Sequence, residues 1–277
     1  MLTITDHSRD SAGLTYVYPV VSRRAGGVSV GINLNPNNAC NWSCIYCQVP
    51  NLTRGGPPPL DLDLLEVELR SFLGAAVDGD YLTKNAPPEA RRLVDVAFSG
   101  NGEPTSAEAF DQAIERVATV LRDFGLIETI KIRLITNGSL MHRPAVRRGV
   151  ERLGSLSGEV WFKIDRTTET GVSVVNQTTF SFERVRSALL DCAALAPTWV
   201  QTCWFAIDGH EADEAEKQAY LDLIDSVKGQ IKGVLLYGLA RPSLQASAPR
   251  IASLPADVFG AFAERLAARG VAVIATP

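Results

Sequence analysis

The 277-residue chain lacks any uninterrupted apolar run of about 18 residues, the length that a helix needs to cross a bilayer. It carries 27 Lys and Arg residues against 31 Asp and Glu residues, so its net charge is −4 and no global positive field favours nucleic acid. Its three histidines fit no metal-ligand spacing. The first residues contain no basic patch followed by an apolar run, so we expect a cytoplasmic protein.

What is present is typical of an ordinary globular chain, with 46% hydrophobic and 21% charged residues. The length suits one large barrel-like α/β domain or two small domains. Three of the five cysteines lie close together, which favours ligation in a reducing compartment over a disulfide framework.

The three clustered cysteines are Cys40, Cys44 and Cys47, spaced C-x3-C-x2-C. Thiolates are soft ligands that suit iron-sulfur clusters or zinc. Three cysteines are one too few to ligate every iron of a 4Fe-4S cluster, so one iron stays open to a small molecule. Catalytic metal sites keep such an open position, whereas structural ones are closed. A zinc knuckle with a distant His or Cys as fourth ligand is the alternative interpretation.

With Tyr46 directly before its last cysteine, this loop resembles the cluster loop of radical S-adenosylmethionine enzymes. The resemblance implies a 4Fe-4S cluster whose open iron is chelated by the methionine moiety of S-adenosylmethionine. It implies reductive cleavage to a 5′-deoxyadenosyl radical, which abstracts hydrogen from a substrate. It also implies a reducing partner, a flavodoxin-like or ferredoxin-like protein.

The hydrophobic pattern predicts alternating strands and helices. Strand-like runs begin near Val28, Val94, Ile130, Glu159, Trp199, Gly233 and Val271, and apolar residues at helical spacing lie between them. This alternation predicts parallel pairing with right-handed crossovers, which we interpret as a partial (β/α)6 TIM-like barrel. The expected divisions are an N-terminal β-rich extension over 1–27, a core over 28–245, and a C-terminal helix and strand over 246–277. Thr105-x-x-Glu108 resembles a capping box for a helix.

The active site of such a barrel lies at the carboxyl ends of its strands. One strand runs into Ser99-Gly-Asn-Gly-Glu-Pro104, which resembles the Gly-Gly-Glu motif that binds the methionyl amino group in the radical enzymes. Asn101 stands where that motif has its first glycine, so the assignment rests on Gly102 and Glu103. The next strand ends at Asn137, which we place in the same cofactor pocket.

Lys163 and Asp165 follow on the next strand and project to one side of it, while Phe162 and Ile164 project to the helices. Two opposite charges inside a barrel are costly unless they hold each other or a ligand. In the functional interpretation Asp165 contacts the ribose hydroxyls, and Lys163 faces the substrate or the methionyl carboxylate. The alternative is a buried ion pair.

On the following strand, Gln201, Cys203 and Phe205 share one face, and the pattern does not decide whether that face lines the barrel. Cys203 is a candidate radical or hydrogen-atom donor, although buried cysteine more often serves packing. Cys192 lies on an apolar helical stripe and is expected in the core. Arg241, after the last core strand, is the one charge on a segment that resembles the adenine-lining segment of the radical enzymes.

Several further segments resemble the branch that contains the wyosine-forming tRNA enzymes, over roughly residues 16–245. They are Tyr18–Arg24, Gly31-Ile32, Phe98–Thr105, Leu134–Gly138, Gln201-Thr202 and Arg241-Pro242-Ser243. Those enzymes condense pyruvate with N1-methylguanosine and carry a second cluster on N-terminal cysteines. This chain has no cysteine before Cys40.

Local charge bears on the choice between a tRNA substrate and a small metabolite or peptide. A basic helix face suited to phosphate is predicted at Arg143, Arg147, Arg148 and Arg152, with two smaller pairs at Arg23-Arg24 and Arg91-Arg92. A solvated helix face is the alternative for these arginines. A non-enzymatic zinc or iron-sulfur binding module is the competing functional class.

Overall fold

The structure is a computed structural model, and it describes residues 2–3, 12–22, 26–179 and 181–277. Within these residues eight strands form one sheet, in the order β1-β2-β5-β6-β7-β8-β10-β12. Its strands are β1 (Val17–Ser22), β2 (Gly27–Ile32), β5 (Leu93–Phe98), β6 (Lys131–Thr136), β7 (Glu159–Lys163), β8 (Thr198–Cys203), β10 (Gly233–Tyr237) and β12 (Val273–Thr276). Two short pairs lie outside the sheet, β3 (Ala39–Cys40) with β4 (Thr53–Arg54) and β9 (Ala206–Ile207) with β11 (Ile251–Ala252).

Every neighbouring pair in the large sheet is parallel except β1 with β2, so seven strands run in one direction. The predicted alternating α/β barrel is present, but the expected count of six units is not confirmed. The strand β1, which we placed in a separate extension, is hydrogen-bonded along its whole length to β2. The order is linear with β1 and β12 at its ends, so the sheet curls into an open half-barrel.

Helices connect the parallel strands and cover the outer face of the sheet. They are α1 (Leu62–Leu73), α2 (Tyr81–Asn85), α3 (Phe110–Asp123), α4 (Pro144–Ser155), α5 (Glu169–Val175), α6 (Phe182–Leu195), α7 (Glu214–Val227) and α8 (Ala256–Ala267). The predicted capping box is wrong. Thr105 lies in a short 3-10 turn and donates to Glu103, and α3 begins only at Phe110, after Ala109.

The core lies between the outer face of the sheet and the helices. Trp204, at the end of β8, stacks on Phe262 of α8 with ring centroids 4.1 Å apart. Cys192 is fully buried in this core, as predicted, and Phe162 and Ile164 also lie in it. No helix among the described residues is both long and apolar enough to span a membrane.

The opposite face of the sheet encloses a cavity of about 350 Å³. Its wall extends from Tyr18 on β1 to Thr276 on β12, so both edges of the half-barrel contribute to it. Gln201 and Cys203 of β8 line this cavity. The face that the sequence pattern left undecided is therefore the inner one.

Candidate functional site

The three clustered cysteines lie in the loop that follows β2, and all three line the cavity. Cys44 is buried, whereas Cys40 and Cys47 are half-buried. The backbone N–H of Trp42 donates to Cys40 Sγ over 3.5 Å, and Asn176 Nδ2 donates to Cys44 Sγ over 3.3 Å. Such N–H donors to sulfur are a feature of iron-sulfur ligation, so this donor set fits a cluster.

Burial governs the protonation of these thiols in the protein without metal. It raises the pKa of Cys40 to about 11 and that of Cys44 to about 12. Both groups are therefore thiols at neutral pH, and ligation requires them to release protons. Within the described residues, no group of three or more His, Cys, Asp or Glu side chains is placed to hold a single metal ion.

A network of asparagines fixes the path of the cysteine loop. Asn33 Oδ1 accepts the backbone N–H of Asn35 at 3.1 Å and that of Asn101 at 3.0 Å. Asn101 Nδ2 then donates to Asn38 Oδ1 over 2.6 Å, and Asn35 Nδ2 donates to Ala39 O over 2.9 Å. Asn101 is the residue that departs from the Gly-Gly-Glu pattern. Its side chain thus joins the loop after β5 to the cysteine loop by a hydrogen bond.

Glu103 is buried at the edge of the cavity and accepts hydrogen bonds from the turn that follows it and from the end of β6. Its Oε1 accepts from Thr105 Oγ1 and Thr136 Oγ1, both at 2.6 Å, and its Oε2 accepts the backbone N–H of Asn137 at 2.7 Å. Burial raises the pKa of this carboxyl group. Oε2 makes one hydrogen bond among the described residues, which leaves it acceptor capacity toward a cationic ligand.

Gly102 lies where the loop after β5 passes against the cysteine loop. A Cβ at this position would lie 2.1 Å from Ala39 O, so only glycine allows the approach. Asn137 lies beside it at the end of β6. Its Nδ2 donates to Asn41 Oδ1 over 2.9 Å, and its Oδ1 accepts from Ser139 Oγ over 2.7 Å. Both predicted cofactor residues line the cavity and also hold the cysteine loop in place.

Tyr46, Lys163 and Asp165 form one connected group. Tyr46 OH donates to Asp165 Oδ2 over 2.6 Å, and Lys163 Nζ donates to Tyr46 OH. Lys163 Nζ lies 3.4 Å from Asp165 Oδ2 and 4.4 Å from the centre of the Tyr46 ring. Burial opposes the charge of Lys163, but the nearby acidic groups together, led by Asp165, raise the pKa of the ammonium above its usual value.

The Asp165 carboxylate has further partners in neighbouring elements. Its Oδ1 accepts the backbone N–H of Cys203 at 2.9 Å, and its Oδ2 accepts from Asn176 Nδ2 at 2.7 Å. Lys163 and Cys203 line the cavity, whereas Asp165 is not among the described residues that line it. The buried ion pair is formed, and ribose binding by Asp165 stays a prediction.

Arg241 lies on a segment after β10 that is fastened to the cysteine loop. Arg241 Nη1 donates to Gln48 Oε1 over 3.0 Å, Ser243 Oγ donates to Ile45 O over 2.8 Å, and Gln245 Nε2 donates to Val49 O over 2.8 Å. The predicted pocket residue therefore contacts the residue that follows Cys47. This fastening joins the last core strand to the cluster loop.

Sequence reasoning missed Arg166 and Asn176, which contact residues of the site but do not themselves line the cavity. Arg166 is buried and donates to Asp165 O over 2.7 Å, and its guanidinium lies 4.4 Å from the Trp204 ring centre. Asn176 ends α5 and bonds both Cys44 and Asp165. No local pattern marks either residue, because Trp204, which Arg166 contacts, and Cys44, which Asn176 bonds, lie far away along the chain.

A charged network lies deeper in the half-barrel. Arg133 Nε donates to Glu159 Oε1 over 2.7 Å, and Arg133 Nη1 donates to Asp95. Trp161 Nε1 donates to the same Glu159 oxygen over 3.1 Å. Charged residues at inward positions of three consecutive strands were the available sequence signal, and they form the floor of the cavity.

Three of the four arginines of the predicted basic face are paired with carboxylates of neighbouring helices. Arg148 lies 2.7 Å from Asp111 of α3, Arg147 lies 3.2 Å from Asp191 of α6, and Arg152 bonds Glu115 of α3. Arg23 and Arg24 lie outside the described residues. Arg147, Arg148 and Arg152 thus form cross-helix ion pairs, and phosphate binding by this face stays a prediction.

Comparison with curated proteins gives partial matches, and no family model matches the chain. The GTPase Obg of Brachyspira hyodysenteriae is 30% identical over 132 residues, which are 47% of this chain and 16% of that protein. The UPF0026 protein MJ1312 of Methanocaldococcus jannaschii is 30% identical over 152 residues, which are 54% of this chain and 40% of that protein. The chain therefore spans less than half the length of the curated relatives it matches.

Solved structures match over nearly the whole chain. A radical SAM methyltransferase from Sphaerobacter thermophilus has a TM-score of 0.63 at 16% identity, over 96% of this chain and 71% of the other. TYW1 with a lysine-pyruvate adduct has a TM-score of 0.57 at 14% identity, over 94% and 77%. SuiB of Streptococcus suis, bound to S-adenosylmethionine, has a TM-score of 0.57 at 10% identity, over 91% and 48%. The chain has the half-barrel fold of radical S-adenosylmethionine enzymes.

Proposed function

We propose that the protein is a radical S-adenosylmethionine enzyme. The observation that carries the proposal is that Cys40, Cys44 and Cys47 line one cavity together with Glu103 and Lys163, at the carboxyl ends of parallel strands. The donors to Cys40 and Cys44 sulfur and the close loop contact at Gly102 support it.

In this proposal the three cysteines hold three irons of a 4Fe-4S cluster, and the pocket beside them holds S-adenosylmethionine. When bound, this pair supplies a 5′-deoxyadenosyl radical that abstracts hydrogen from the substrate. The residues assigned to the cofactor are Tyr46, Gly102, Glu103, Asn137, Asp165 and Arg241.

The chain's own residues bind and orient the cofactor and substrate. Glu103 Oε2 takes the methionyl ammonium, since it is buried and keeps acceptor capacity. Asp165 fixes Tyr46 through its 2.6 Å hydrogen bond, so the ring beside Cys47 cannot swing freely. Arg241 holds Gln48 and so keeps the segment after Cys47 closed over the pocket. Lys163 and Cys203, the predicted catalytic residues, both line the cavity, which supports a role for them at the substrate.

The lysine-pyruvate adduct of TYW1 raises the question whether Lys163 forms a similar adduct. An amine must be neutral to attack a carbonyl group. Asp165 holds Lys163 as an ammonium, with a pKa above its usual value. The ion pair with Asp165 favours a charge-carrying role for Lys163 over a covalent one.

A small metabolite or peptide is the substrate class that the cavity supports better than a tRNA base. The arginines of α4 are neutralised by Asp111, Glu115 and Asp191, so that face offers phosphate little free charge. The reducing partner is a flavodoxin-like or ferredoxin-like protein in this proposal.

The test is anaerobic purification and reconstitution, followed by metal analysis and measurement of 5′-deoxyadenosine release with dithionite and S-adenosylmethionine. A Cys40, Cys44, Cys47 triple alanine variant should lose both cluster and release. A Cys192→Ala variant is the matched control, because that thiol lies in the core and should not affect cluster content. Zinc in place of iron without cleavage would identify a binding module and contradict the proposal.

A further inference from the structure

Gln201 is a buried polar side chain that lines the cavity and has no partner for its amide among the described residues. Only 4% of the residue is exposed. Neighbouring polar groups on the cavity wall are paired, as in the 2.8 Å contact of Tyr18 with Ser99 and the 3.1 Å bond from Trp161 to Glu159. The side chain lines the cavity, so a ligand held there can supply the hydrogen bonds that the described residues do not.

The position of Gln201 separates it from the cofactor pocket. It lies opposite Lys163 of β7 and Leu235 of β10 in the sheet register. Cys203 lies two residues closer to the carboxyl end of β8, which is about 7 Å further along the strand. Gln201 therefore faces the part of the cavity below the cysteine loop, where a substrate would lie in the proposed function.

The chemistry of the amide selects the ligand. Glutamine offers a donor and an acceptor side by side, and here both lack partners. The nearby charges already occur in opposite pairs, Lys163 with Asp165 at 3.4 Å and Arg133 with Glu159 at 2.7 Å. A neutral edge with an adjacent acceptor and donor satisfies both amide atoms, whereas a carboxylate satisfies only the donor.

We infer that Gln201 is a specificity residue that binds the substrate through a neutral carboxamide or lactam edge. Trp161, also on the cavity wall two residues before Lys163, has the Arg133 guanidinium 5.0 Å from its ring centre. The inference rests on the proposed function for calling the ligand a substrate, but binding itself requires no radical chemistry.

The test measures binding of three probes by ligand-observed NMR. It uses the protein as purified, and the protein after cluster reconstitution with S-adenosylmethionine added. The probes are nicotinamide (a carboxamide), nicotinate (the matching carboxylate) and guanosine (a lactam). We expect nicotinamide or guanosine to bind the wild type, and the affinity to fall about fivefold or more in Gln201→Leu. Gln201→Glu, which keeps the shape, should bind these neutral probes more weakly as well.

Gln112→Leu is the matched control, since Gln112 is exposed on α3 and its variant should bind as the wild type does. Guanosine binding that depends on Gln201 assigns a lactam, and nicotinamide binding alone assigns a carboxamide. Tighter binding of nicotinate, no binding of either neutral probe, or equal binding by all folded variants would overturn the inference. A protein that cleaves S-adenosylmethionine but fails this test contradicts the inference alone, and one that passes without cleavage contradicts the proposed function alone.

Discussion

Asp165 is the residue that connects the other polar residues of the site by hydrogen bonds and an ion pair. Its carboxylate accepts from Tyr46, Asn176 and the backbone of Cys203, and it faces the ammonium of Lys163. Removing Asp165 and removing Lys163 would leave the remaining charged group with different numbers of hydrogen-bond partners. Among the described residues, the Lys163 ammonium without Asp165 keeps the hydrogen bond to the Tyr46 hydroxyl, whereas the carboxylate without Lys163 keeps three donors.

This difference predicts unequal effects on stability. We expect Asp165→Asn to lower the free energy of unfolding by about 3–5 kcal/mol, because it leaves an uncompensated buried charge. Lys163→Met should cost less, because its hydrocarbon chain is retained and Asp165 remains hydrogen-bonded. Urea unfolding of both variants in the metal-free state measures the two values. Equal losses, or a larger loss for Lys163→Met, would contradict the assignment of Asp165 as the central support.

The thiol pKa values predict how alkylation depends on pH in the metal-free protein. The thiolate is the reactive form, and the pKa of Cys40 is raised to about 11, so its reactive fraction rises about tenfold per pH unit from pH 7 to pH 10. The pKa of Cys192 is raised to about 12, and this thiol is fully buried. We therefore expect iodoacetamide to modify Cys40 at a rate that climbs without a plateau over this range, and to leave Cys192 unmodified. Mass spectrometry of quenched samples measures both, and a plateau near pH 8 at Cys40 would contradict the burial of that thiol.

At the scale of elements, strand positions could be predicted because each strand is an apolar run between breakers. Which face of a strand turns inward could not, because a parallel strand in a half-barrel is buried on both sides. Thus Gln201 and Thr202 are both buried, and only the lining of the cavity shows that Gln201 faces inward. The false capping box shows the same limit, since Thr105 bonds Glu103 through a contact that local spacing does not specify.

Loop packing at Gly102 leads to a prediction about cluster loading. Gly102→Ala places a Cβ against Ala39 O, so the loop after β5 and the cysteine loop must move apart. We expect iron content after reconstitution to fall to less than about half of the wild-type value, with unchanged far-ultraviolet circular dichroism, because the strands themselves are untouched.

The matched control for this variant is Gly260→Ala in α8. A Cβ there meets nothing within 4 Å, and alanine in a helix stabilises by roughly 0.5–1 kcal/mol relative to glycine. Gly260→Ala should therefore load iron normally and unfold at slightly higher denaturant. Normal loading of Gly102→Ala would contradict the close loop contact as a requirement for the cluster site.

At the scale of the whole molecule, the half-barrel is closed at one end by side chains and organised for binding at the other. Arg133 with Asp95 and Glu159 forms the floor, and the cysteine loop with the Arg241 segment surrounds the carboxyl ends of the strands. The floor escaped prediction because its partners come from β5, β6 and β7, and their approach follows from the curl of the sheet. In the proposed function, a substrate would therefore enter from the cysteine-loop side, into a cavity of about 350 Å³.

The distribution of charge over the molecule predicts weak recognition of tRNA. The net charge is −4, and the α4 arginines face Asp111, Glu115 and Asp191. Each phosphate neutralised by a protein steepens the plot of log affinity against log salt concentration by about 0.7–0.9. Fluorescence anisotropy from 50 to 300 mM salt measures the tRNA affinity. We expect the slope of log affinity against log salt concentration to correspond to less than about one phosphate contact, and Arg148→Ala to leave that slope unchanged.

A slope that corresponds to several phosphate contacts, and that Arg148→Ala reduces, would make a tRNA base the favoured substrate. The ion pairs of α4 would then have to open to bind phosphate. A flat slope leaves recognition to the cavity wall, where Gln201 and Trp161 select by hydrogen bonding and shape.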